Sequence, residues 1–488
     1  MTDTHATTDT DATARAPLTT STAAEAGPAP RSVDCVVIGA GAAGLAAAAT
    51  AASHGVQVLL IDESAEPGGR HFGPRSGSGA LADGPTRAEA QALTAAVRGV
   101  ELRLDTVAWG VFDERVVALA TVDRADRVQA RTLVLATGGS ERPVPFPGWT
   151  LPGVVDPSTA LTAAAAGELT GRRVVVAGNG PALPRLARAL LHAGAEIAAV
   201  CEAAPLRGLW RQAAALLFHL DAAQAALGAR RALRAAGVPV LDGHVVIRAP
   251  GGARASGAVI ARCDASWRPV AGTDRSIDAD LVVVDFGLTP NAELARLAGC
   301  ALRHDAARDA WLPERTRELE TTASGVFVIG DAAGDRGPAT AFAEGRLAGV
   351  AIAARVGSLQ GRELERERAR ARGRLLHHEG LERALRRIYR AGAGIHELAA
   401  DATILCRCEG ATVGAARRAA ADGGDVNDVK SRTRAGMGRC QGRLCATALA
   451  HVVARETRRA VADVGVLTPR PPVRPILLGA LAADGVDA

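Results

Sequence analysis

Four cysteines near the C-terminal end of this 488-residue chain have the spacing of a metal-binding set. Cys406 and Cys408 enclose one residue, thirty-one residues follow, and Cys440 and Cys445 enclose four. Four thiolates are the ligands of a [2Fe–2S] cluster or of a tetrahedral zinc ion, and soft sulfur atoms suit both. Zinc pairs usually enclose about two to four residues. The single residue between Cys406 and Cys408 therefore favours the cluster.

Charge near these cysteines supports the same interpretation. Arg407, Arg439 and Arg443 flank the ligands and would offset part of a cluster's negative charge. An Ala-rich helix is predicted to begin at Cys445, and its N-terminal N–H groups would add to that effect.

A glycine motif near the N-terminus indicates a different chemistry, the binding of a dinucleotide. A predicted strand leads into Gly39-x-Gly41-x-x-Gly44, an Ala-rich helix follows, and a second strand ends at Asp62 and Glu63. The first glycine allows a tight turn, the second lets backbone approach a pyrophosphate, and the third lets helix and strand pack closely. A carboxylate about 20 residues further on binds the ribose hydroxyls. Asp62 is favoured by this spacing, and Glu63 remains a candidate.

Three further motifs extend this nucleotide site. They are Gly68-Gly69-Arg70 after the acidic pair, Thr137-Gly138 after a strand, and Gly330-Asp331 after another strand. With them the chain resembles the two-dinucleotide-binding-domain flavoproteins of the glutathione-reductase class. That resemblance implies FAD as the cofactor, with Gly69, Arg70, Thr137 and Gly138 in its site. It also implies that Asp331 binds the ribityl chain and that the following helix faces the isoalloxazine.

A second nucleotide-type fold is predicted in the middle of the chain. A strand leads into Gly178-x-Gly180, then a helix and a strand that ends at Glu202. The resemblance implies NAD(P)H here, and Glu202 would favour a free 2′-hydroxyl over a 2′-phosphate. The third glycine position is Leu183, whose bulk would move the helix or change the turn. The fold is predicted, and its use of NAD(P) is left open.

The remaining cysteines do not form the redox pair of a disulfide reductase. The stretch after Gly69 contains no cysteine. Sixty-one residues lie between Cys201 and Cys263, and neither belongs to a Cys-x-x-Cys motif. We expect Cys35, Cys201, Cys263 and Cys300 to be small buried hydrophobic side chains.

The cysteine region itself resembles the small [2Fe–2S] domain named after bacterioferritin-associated ferredoxin. With the flavin motifs and the segment 434–443, residues 32–456 are similar to the FAD-containing subunits of bacterial opine oxidases, hydrogen cyanide synthase and dye-linked proline or hydroxyproline dehydrogenases. That resemblance implies a partner subunit similar to D-amino-acid dehydrogenases, which oxidises the amine, and a small ferredoxin-like subunit. The chain departs from its relatives at Arg70-His71, where Gly-Gly-Gln is common, and at Leu183.

The elements that must position these residues alternate β-branched runs with Ala-rich helices, the pattern of a parallel sheet. The predicted fold is α/β, with two doubly wound Rossmann-like domains and a small helical [2Fe–2S] domain. Strands are predicted at 33–38, 56–61, 132–136, 173–177, 196–200, 281–285 and 326–329. The predicted divisions are a disordered leader (1–31), a FAD-binding domain in two parts (32–150 and 276–357), an inserted nucleotide domain (151–275), a charged helical linker (358–400), the cluster domain (401–465) and a tail (466–488).

Composition excludes several other classes of protein. The net charge of +5 comes from arginines spread along the whole chain, which argues against a nucleic-acid surface, and aromatic residues make up only 3%. No apolar run of about 20 residues predicts a transmembrane segment, and no signal peptide is recognised, so a cytoplasmic location is expected. His71 is expected on a surface loop, and the alternative is an acid or base that faces the flavin. His377, His378 and His396 are expected on a solvated helix face, and the alternative is a metal site.

The predicted function is an electron-transferring flavoprotein subunit of a heteromeric amino-acid or amine dehydrogenase or oxidase. The oxidised substrate and the catalytic residues are not identified by the sequence. Two alternatives remain: a stand-alone NAD(P)H-dependent reductase that passes electrons to an iron–sulfur acceptor, and a scaffold that only binds partners.

Overall fold

A computed structural model describes residues 30–73, 84–205 and 220–483. Most of the predicted leader lies outside the described residues. The described part forms thirteen α-helices: α1 (Ala42–Ser53), α2 (Gly69–Phe72), α3 (Gly84–Ala96), α4 (Pro157–Ala165), α5 (Leu183–His192), α6 (Leu220–Ala235), α7 (Glu293–Leu297), α8 (Gly337–Val356), α9 (Gly361–Ile388), α10 (Val413–Ala420), α11 (Val426–Thr433), α12 (Ala446–Thr457) and α13 (Leu478–Ala483).

The strands of the described residues are β1 (Arg31–Ile38), β2 (Val58–Ile61), β3 (Glu101–Arg103), β4 (Val107–Phe112), β5 (Val116–Ala120), β6 (Ala125–Leu135), β7 (Gly139–Glu141), β8 (Val154–Val155), β9 (Arg173–Gly178), β10 (Glu196–Glu202), β11 (Val240–Asp242), β12 (His244–Arg248), β13 (Gly257–Arg262), β14 (Arg275–Asp278), β15 (Leu281–Asp285), β16 (Leu288–Pro290), β17 (Leu302–Asp305), β18 (Ala310–Pro313), β19 (Val326–Val328), β20 (Ile404–Cys406) and β21 (Ala411–Thr412). All seven predicted strands are confirmed. The predicted α/β class with two Rossmann-like sheets is confirmed as well.

The first nucleotide fold has a parallel sheet in the order β3-β2-β1-β6-β19, with the antiparallel pair β4-β5 beside β6. Apolar runs fill its central strands because both faces of the sheet are covered. Helices α1 and α8 pack together on one face. A Cβ atom at Gly345 would lie 2.2 Å from the carbonyl oxygen of Ala43, so this helix pair depends on the missing side chain.

The second nucleotide fold has a parallel sheet in the order β11-β10-β9-β15-β8, and the antiparallel strands β12-β13-β14 lie against it. Strand β15 pairs with β9 in the centre of this sheet. The boundary predicted at residue 275 therefore needs correction, because the β-branched run Leu281–Asp285 belongs to the second fold. The chain enters the second fold after β7 and leaves it after β15 at β16, which pairs antiparallel with β7.

The third unit contains β20, β21 and helices α10 to α12 around a core of their own. The predicted linker is the long helix α9, whose Ala371, Leu375 and Glu382 are buried, so only part of its surface is solvated. The predicted tail is packed as well. Val473 is buried against the first fold, and Leu467 is buried in the third core.

Within the described residues, no helix combines the length and apolar character that crossing a bilayer requires.

Candidate functional site

The first fold surrounds a cavity of about 560 Å³ at the carboxyl ends of β1, β2, β6 and β19. It brings together ten of the eleven residues predicted for the first site. They are Gly39, Gly41, Asp62, Glu63, Gly69, Arg70, Thr137, Gly138, Gly330 and Asp331. Ligands of open parallel sheets bind at this edge of the sheet.

Gly44 does not line the cavity and instead sets the position of α1. A Cβ atom there would lie 1.7 Å from the carbonyl oxygen of Gly39, and Gly39 itself has φ +105°. Helix α1 therefore begins directly against the turn, with its N-terminus at the cavity. Free N–H groups and the positive end of the helix dipole favour a phosphate there.

The two candidate ribose carboxylates differ in their contacts. The buried Asp62 accepts hydrogen bonds from the backbone N–H groups of Ala40 (2.6 Å) and Ser64 (2.8 Å). Glu63 is half-exposed and pairs with Arg474, with Nε and Oε2 3.3 Å apart. Asp62 thus holds the loop in shape, while Glu63 is the more exposed of the two carboxylates that line the cavity.

The Gly330-Asp331 motif is supported by an acid that the sequence reasoning missed. The Gly330 N–H donates to Oε2 of Glu344 (2.7 Å), and the Asp331 carboxylate accepts the N–H of Arg336 (3.0 Å). Glu344 is fully buried. Burial raises its pKa, but Arg315 and Arg336 lower it more, so the pKa lies below its usual value. A lone acid within the apolar run of α8 was the available signal.

Arg70 and His71 both lie at the cavity, so the expectation that His71 is on a surface loop is wrong. The Arg70 guanidinium donates to the carbonyl oxygen of Gly139 (2.5 Å) and pairs with Glu141. Burial lowers the pKa of His71 most, while Asp331 opposes the shift. Arg70 and His71 both belong to helix α2, which begins at Gly69 and places them at the cavity.

These residues fit a flavin dinucleotide. The glycine loop at the N-terminus of α1 faces the position expected for the pyrophosphate, and carboxylates line other parts of the cavity. Ala43, Leu294 and Ala341 add apolar surface for rings. The lining residues contain no cysteine, which agrees with the expected absence of a redox dithiol at this cavity. Cys35, Cys201 and Cys300 are buried, as expected, and Cys263 is partly buried.

The second glycine loop has the same topology, and two of its polar groups already have partners within the chain. The buried Glu202 carboxylate accepts the N–H groups of Gly180 (3.2 Å) and Ala204 (3.1 Å). The Asn179 side chain donates to the carbonyl oxygen of Tyr389, which follows α9 (2.8 Å). Burial raises the pKa of Glu202 to about 8. Glu202 therefore faces the loop and not a ligand.

Leu183, at the third glycine position, is fully buried in the core between α5 and the second sheet. A segment after α9 covers the other side of that sheet: Ile395 is fully buried there, and Tyr389 packs beside it. A Cβ atom at Gly392 would lie 2.5 Å from the Ser266 carbonyl oxygen. The third position of this loop is therefore a core residue, and a distant segment packs on its sheet, which distinguishes the second loop from the first.

The four predicted ligand cysteines converge in the third unit. Cys406 ends β20 and Cys445 begins α12, and both are buried, whereas Cys408 is exposed. A Cβ atom at Gly438 would lie 2.3 Å from the Cβ of Cys408, so the glycine lets the two loops touch. This explains one small residue of the segment 434–443.

Hydrogen bonds favour a thiolate at Cys406. The Cys445 thiol lowers the pKa of Cys406 to about 5 against the opposing effect of burial, with help from the backbone N–H groups of Gly436, Glu409 and Cys408. Hydrogen bonds to cluster sulfurs tune iron–sulfur centres in proteins. The backbone N–H groups of these loops therefore already favour a thiolate at the Cys406 sulfur.

The third unit contacts both nucleotide folds. Leu444, next to Cys445, lines the flavin cavity. Arg443 is buried and pairs with Glu293 of α7, Nε to Oε1 3.2 Å, so the charge expected to offset a cluster is largely neutralised. The Trp149 indole donates to the carbonyl oxygen of Ile404 (2.6 Å). The cysteine site is thereby held against the flavin cavity.

Comparison with known proteins agrees with this arrangement. Residues 33–355 match the family described as pyridine nucleotide-disulphide oxidoreductase, and residues 404–485 match the sarcosine oxidase A3 domain. The chain is 33% identical to hydrogen cyanide synthase subunit HcnB of Pseudomonas aeruginosa, over 93% of this chain and 99% of the relative. It is 34% identical to an opine oxidase subunit of Agrobacterium tumefaciens, over 92% of this chain and 91% of the relative.

A solved structure supports the fold over the same length. The L-proline dehydrogenase from P. horikoshii superposes with a TM-score of 0.64 at 20% identity, covering 93% of this chain and 80% of that one. The predicted family is confirmed: this chain is a flavin oxidoreductase of the pyridine nucleotide-disulphide oxidoreductase family, related over nearly its whole length to hydrogen cyanide synthase subunit HcnB and to opine oxidase subunits.

Proposed function

We propose that the chain is the FAD- and [2Fe–2S]-containing electron-transfer subunit of a heteromeric amino-acid or amine dehydrogenase or oxidase. The observation that carries this proposal is the adjacency of two sites, because Leu444 lines the flavin cavity and Cys445 is the next residue. When bound, FAD and the cluster would supply conversion between two-electron and one-electron transfer.

The chain's own residues would hold these groups in place. Gly39, Gly41 and the N-terminus of α1 would bind the pyrophosphate, and Asp331 the ribityl chain. Asp62 shapes the loop from which Glu63 would reach the ribose. We assign these roles on the lining of the cavity and the hydrogen bonds described above.

The cluster would be bound by Cys406, Cys408, Cys440 and Cys445, in the domain predicted at 401–465. The lowered pKa of Cys406 and the backbone N–H groups around it support a thiolate at that position, whereas burial raises the pKa of Cys408 and the hydrogen bond to Cys406 raises that of Cys445. The single residue between Cys406 and Cys408 favours a two-iron cluster over zinc. Thiolates of this kind persist in a reducing compartment, which fits the expected cytoplasmic location.

The amine donor would be oxidised on another subunit. HcnB and the opine oxidase relative are, by name, subunits of larger enzymes, which supports a partner for this chain. We propose a partner similar to D-amino-acid dehydrogenases, with a small ferredoxin-like subunit completing the assembly. The donor would be an opine, proline, hydroxyproline or glycine type of amino acid.

Cofactor analysis of the purified full-length chain tests the proposal. We expect about one FAD, two irons and two acid-labile sulfides per chain. In Cys408→Ser the iron and sulfide should be lost while the flavin stays. Cys263→Ser, outside the site, is the matched control and should retain both. A colourless protein, or zinc in place of iron in a sample purified without oxygen, would contradict the proposal.

The reductase alternative is tested with the same sample. Rapid bleaching of the flavin by NADH or NADPH would favour a stand-alone reductase, and stable flavin absorbance together with co-purification of an amine-oxidising subunit would favour the proposal. The engaged polar groups of the second glycine loop lead us to expect no bleaching.

A further inference from the structure

Four side chains outside both redox sites converge on one buried point, which we call the histidine–aspartate cluster: His304, Asp309, His396 and His451. Asp309 lies in the turn between β17 and β18, and His304 lies on β17. His396 belongs to the segment after α9, and His451 lies on α12. The cluster therefore joins the first fold, the linker and the cysteine domain.

Three imidazoles point their Nε2 atoms at the Asp309 carboxylate. His396 Nε2 lies 2.8 Å from Oδ2, and His451 Nε2 lies 2.6 Å from Oδ1. His304 Nε2 lies 3.7 Å from Oδ1. The rings of His396 and His451 are stacked, with their centroids 3.5 Å apart. The expectation that His396 lies on a solvated helix face is therefore wrong.

The cluster is buried, and two of its nitrogen atoms, Nε2 of His304 and Nδ1 of His396, have no hydrogen-bond partner. The side chains of His304 and Asp309 are each 9% exposed, and that of His396 is 10% exposed. Nε2 of His304 is buried without a hydrogen-bond partner although it points at the carboxylate. An unsatisfied buried polar atom costs free energy, so hydrogen bonding alone leaves this arrangement incomplete.

The carboxylate has a buried guanidinium beside it, which forms an ion pair with it but no hydrogen bond. The closest guanidinium is that of Arg142, with Nη1 3.8 Å from Oδ2 of Asp309. Its Nη2 group donates to the carbonyl oxygens of Leu288 and Arg308, beyond hydrogen-bond reach of Asp309. Two protonated, stacked imidazoles would repel each other in this buried position, whereas neutral imidazoles offer lone pairs to a metal.

The ligand atoms of Asp309, His396 and His451 all lie within 4.8 Å of one another. A tetrahedral zinc ion with bonds of about 2.1 Å needs ligand atoms about 3.4 Å apart. The observed 2.6, 2.8 and 3.7 Å contacts to Asp309 bracket that separation, so small side-chain shifts would reach it. Two imidazole nitrogens and one carboxylate oxygen of these residues form a donor set that suits zinc, and Nε2 of His304 lies beside it, 3.7 Å from Oδ1 of Asp309.

We propose that Asp309, His396 and His451 bind a structural divalent transition metal ion of the zinc type, with His304 beside the site as the candidate fourth ligand. The ion would fasten the cysteine domain and the linker to the first nucleotide fold. It is separate from the four-cysteine site, since none of its ligands is a cysteine. The proposal does not depend on the function proposed above.

Metal analysis of the full-length protein, purified with its cofactors and equilibrated with Zn²⁺, tests this inference. We expect about one zinc per chain beyond the iron, bound more than about 100-fold more weakly by His396→Gln and His451→Gln. Glutamine preserves a side-chain N–H donor but removes the imidazole lone pair. His192→Gln, at an exposed position in the second fold, should bind zinc as the unaltered chain does.

A second measurement covers the possibility that the variants fail to fold. X-ray absorption at the zinc edge of the unaltered protein should show nitrogen and oxygen neighbours at about 2.0–2.1 Å. Sulfur neighbours at about 2.3 Å would place the zinc at the cysteines and overturn the proposal. The proposal would also be overturned if the unaltered protein bound no zinc in addition to its iron, or if the histidine variants bound zinc as tightly as the unaltered protein.

Discussion

The two nucleotide folds of this chain share a topology and differ in what they leave open. In each, a carboxylate at the end of the second strand accepts one N–H from the glycine loop and one from the residue two positions further along. Asp62 and Glu202 are equivalent in this respect. The first fold surrounds a cavity of about 560 Å³, whereas in the second glycine loop the Asn179 side chain is hydrogen-bonded to the Tyr389 carbonyl oxygen.

The difference comes from the third glycine position and from a distant segment. Gly44 lets α1 start against the turn, while Leu183 fills the core beneath α5. The segment after α9 then packs on the second fold through Tyr389 and Ile395. A Rossmann topology therefore predicts where in the fold a nucleotide could bind. The contacts of the glycine loop decide whether that position is open to a ligand.

The largest effect is expected when the first loop is given the second loop's residue. Gly44→Leu would place a side chain where even Cβ meets the Gly39 carbonyl oxygen at 1.7 Å, so flavin binding should be abolished. The ratio of flavin absorbance to protein measures this. Normal flavin content in Gly44→Leu would refute the role given to close helix packing.

The reciprocal truncation in the second fold should affect stability and leave the flavin bound. Leu183→Ala removes a fully buried side chain, and the free energy of unfolding should fall by about 2–5 kcal/mol. Denaturant unfolding monitored by circular dichroism measures it. Loss of flavin in a folded Leu183→Ala protein would show that the two folds are not independent in this respect.

Stability should also depend on pH through Glu202. Burial raises the pKa of Glu202 to about 8 from its ordinary value of 4.5, so the folded state retains a proton that the unfolded state releases. Its contribution is present below about pH 4.5 and is lost as the pH rises through about 8. Glu202→Gln should make the decline of the unfolding free energy between about pH 5 and 8 shallower.

The decline should not vanish in Glu202→Gln, because burial also raises the pKa of Asp285 and of Asp335 to about 7. A slope identical to that of the unaltered protein would contradict the assignment to Glu202. Thermal unfolding across this pH range, with flavin content recorded at each point, provides the comparison.

The smallest effect is expected at Asn179. Asn179→Ala removes the hydrogen bond to the Tyr389 carbonyl oxygen, which should cost about 1 kcal/mol of unfolding free energy. NADH should still leave the flavin absorbance unchanged, since Glu202 and Leu183 keep their contacts. Flavin bleaching by NADH in this variant alone would show that the Tyr389 contact is what closes the second fold.

Much of the fold followed from local patterns. The β-branched runs located the seven strands, and glycine spacing located the first cavity, because strand ends and helix starts are encoded within short segments. The boundary at residue 275 and the packed tail at 466–483 could not be inferred that way. They depend on β15 pairing with β9 and on Val473 reaching the first fold, which are long-range contacts.

The candidate site shows the same difference between features set by local sequence and features set by long-range contacts. The motif residues around the first cavity were predictable because each has a fixed backbone or phosphate role. The burial of His71 and His396 was not, because it comes from segments distant in sequence. Glu344 had one local signal, its place as a lone acid within the apolar run of α8. His396, for example, meets Asp309 across 87 residues. Spacing within one segment gave no sign of that contact.

The most direct test of the account is an anaerobic reductive titration of the purified full-length chain, followed by visible absorbance. NADH or NADPH should leave the spectrum unchanged, and dithionite should then deliver about three electrons per chain, two to the flavin and one to the cluster. Full bleaching by a nicotinamide nucleotide, or an end point at about two electrons, would contradict it.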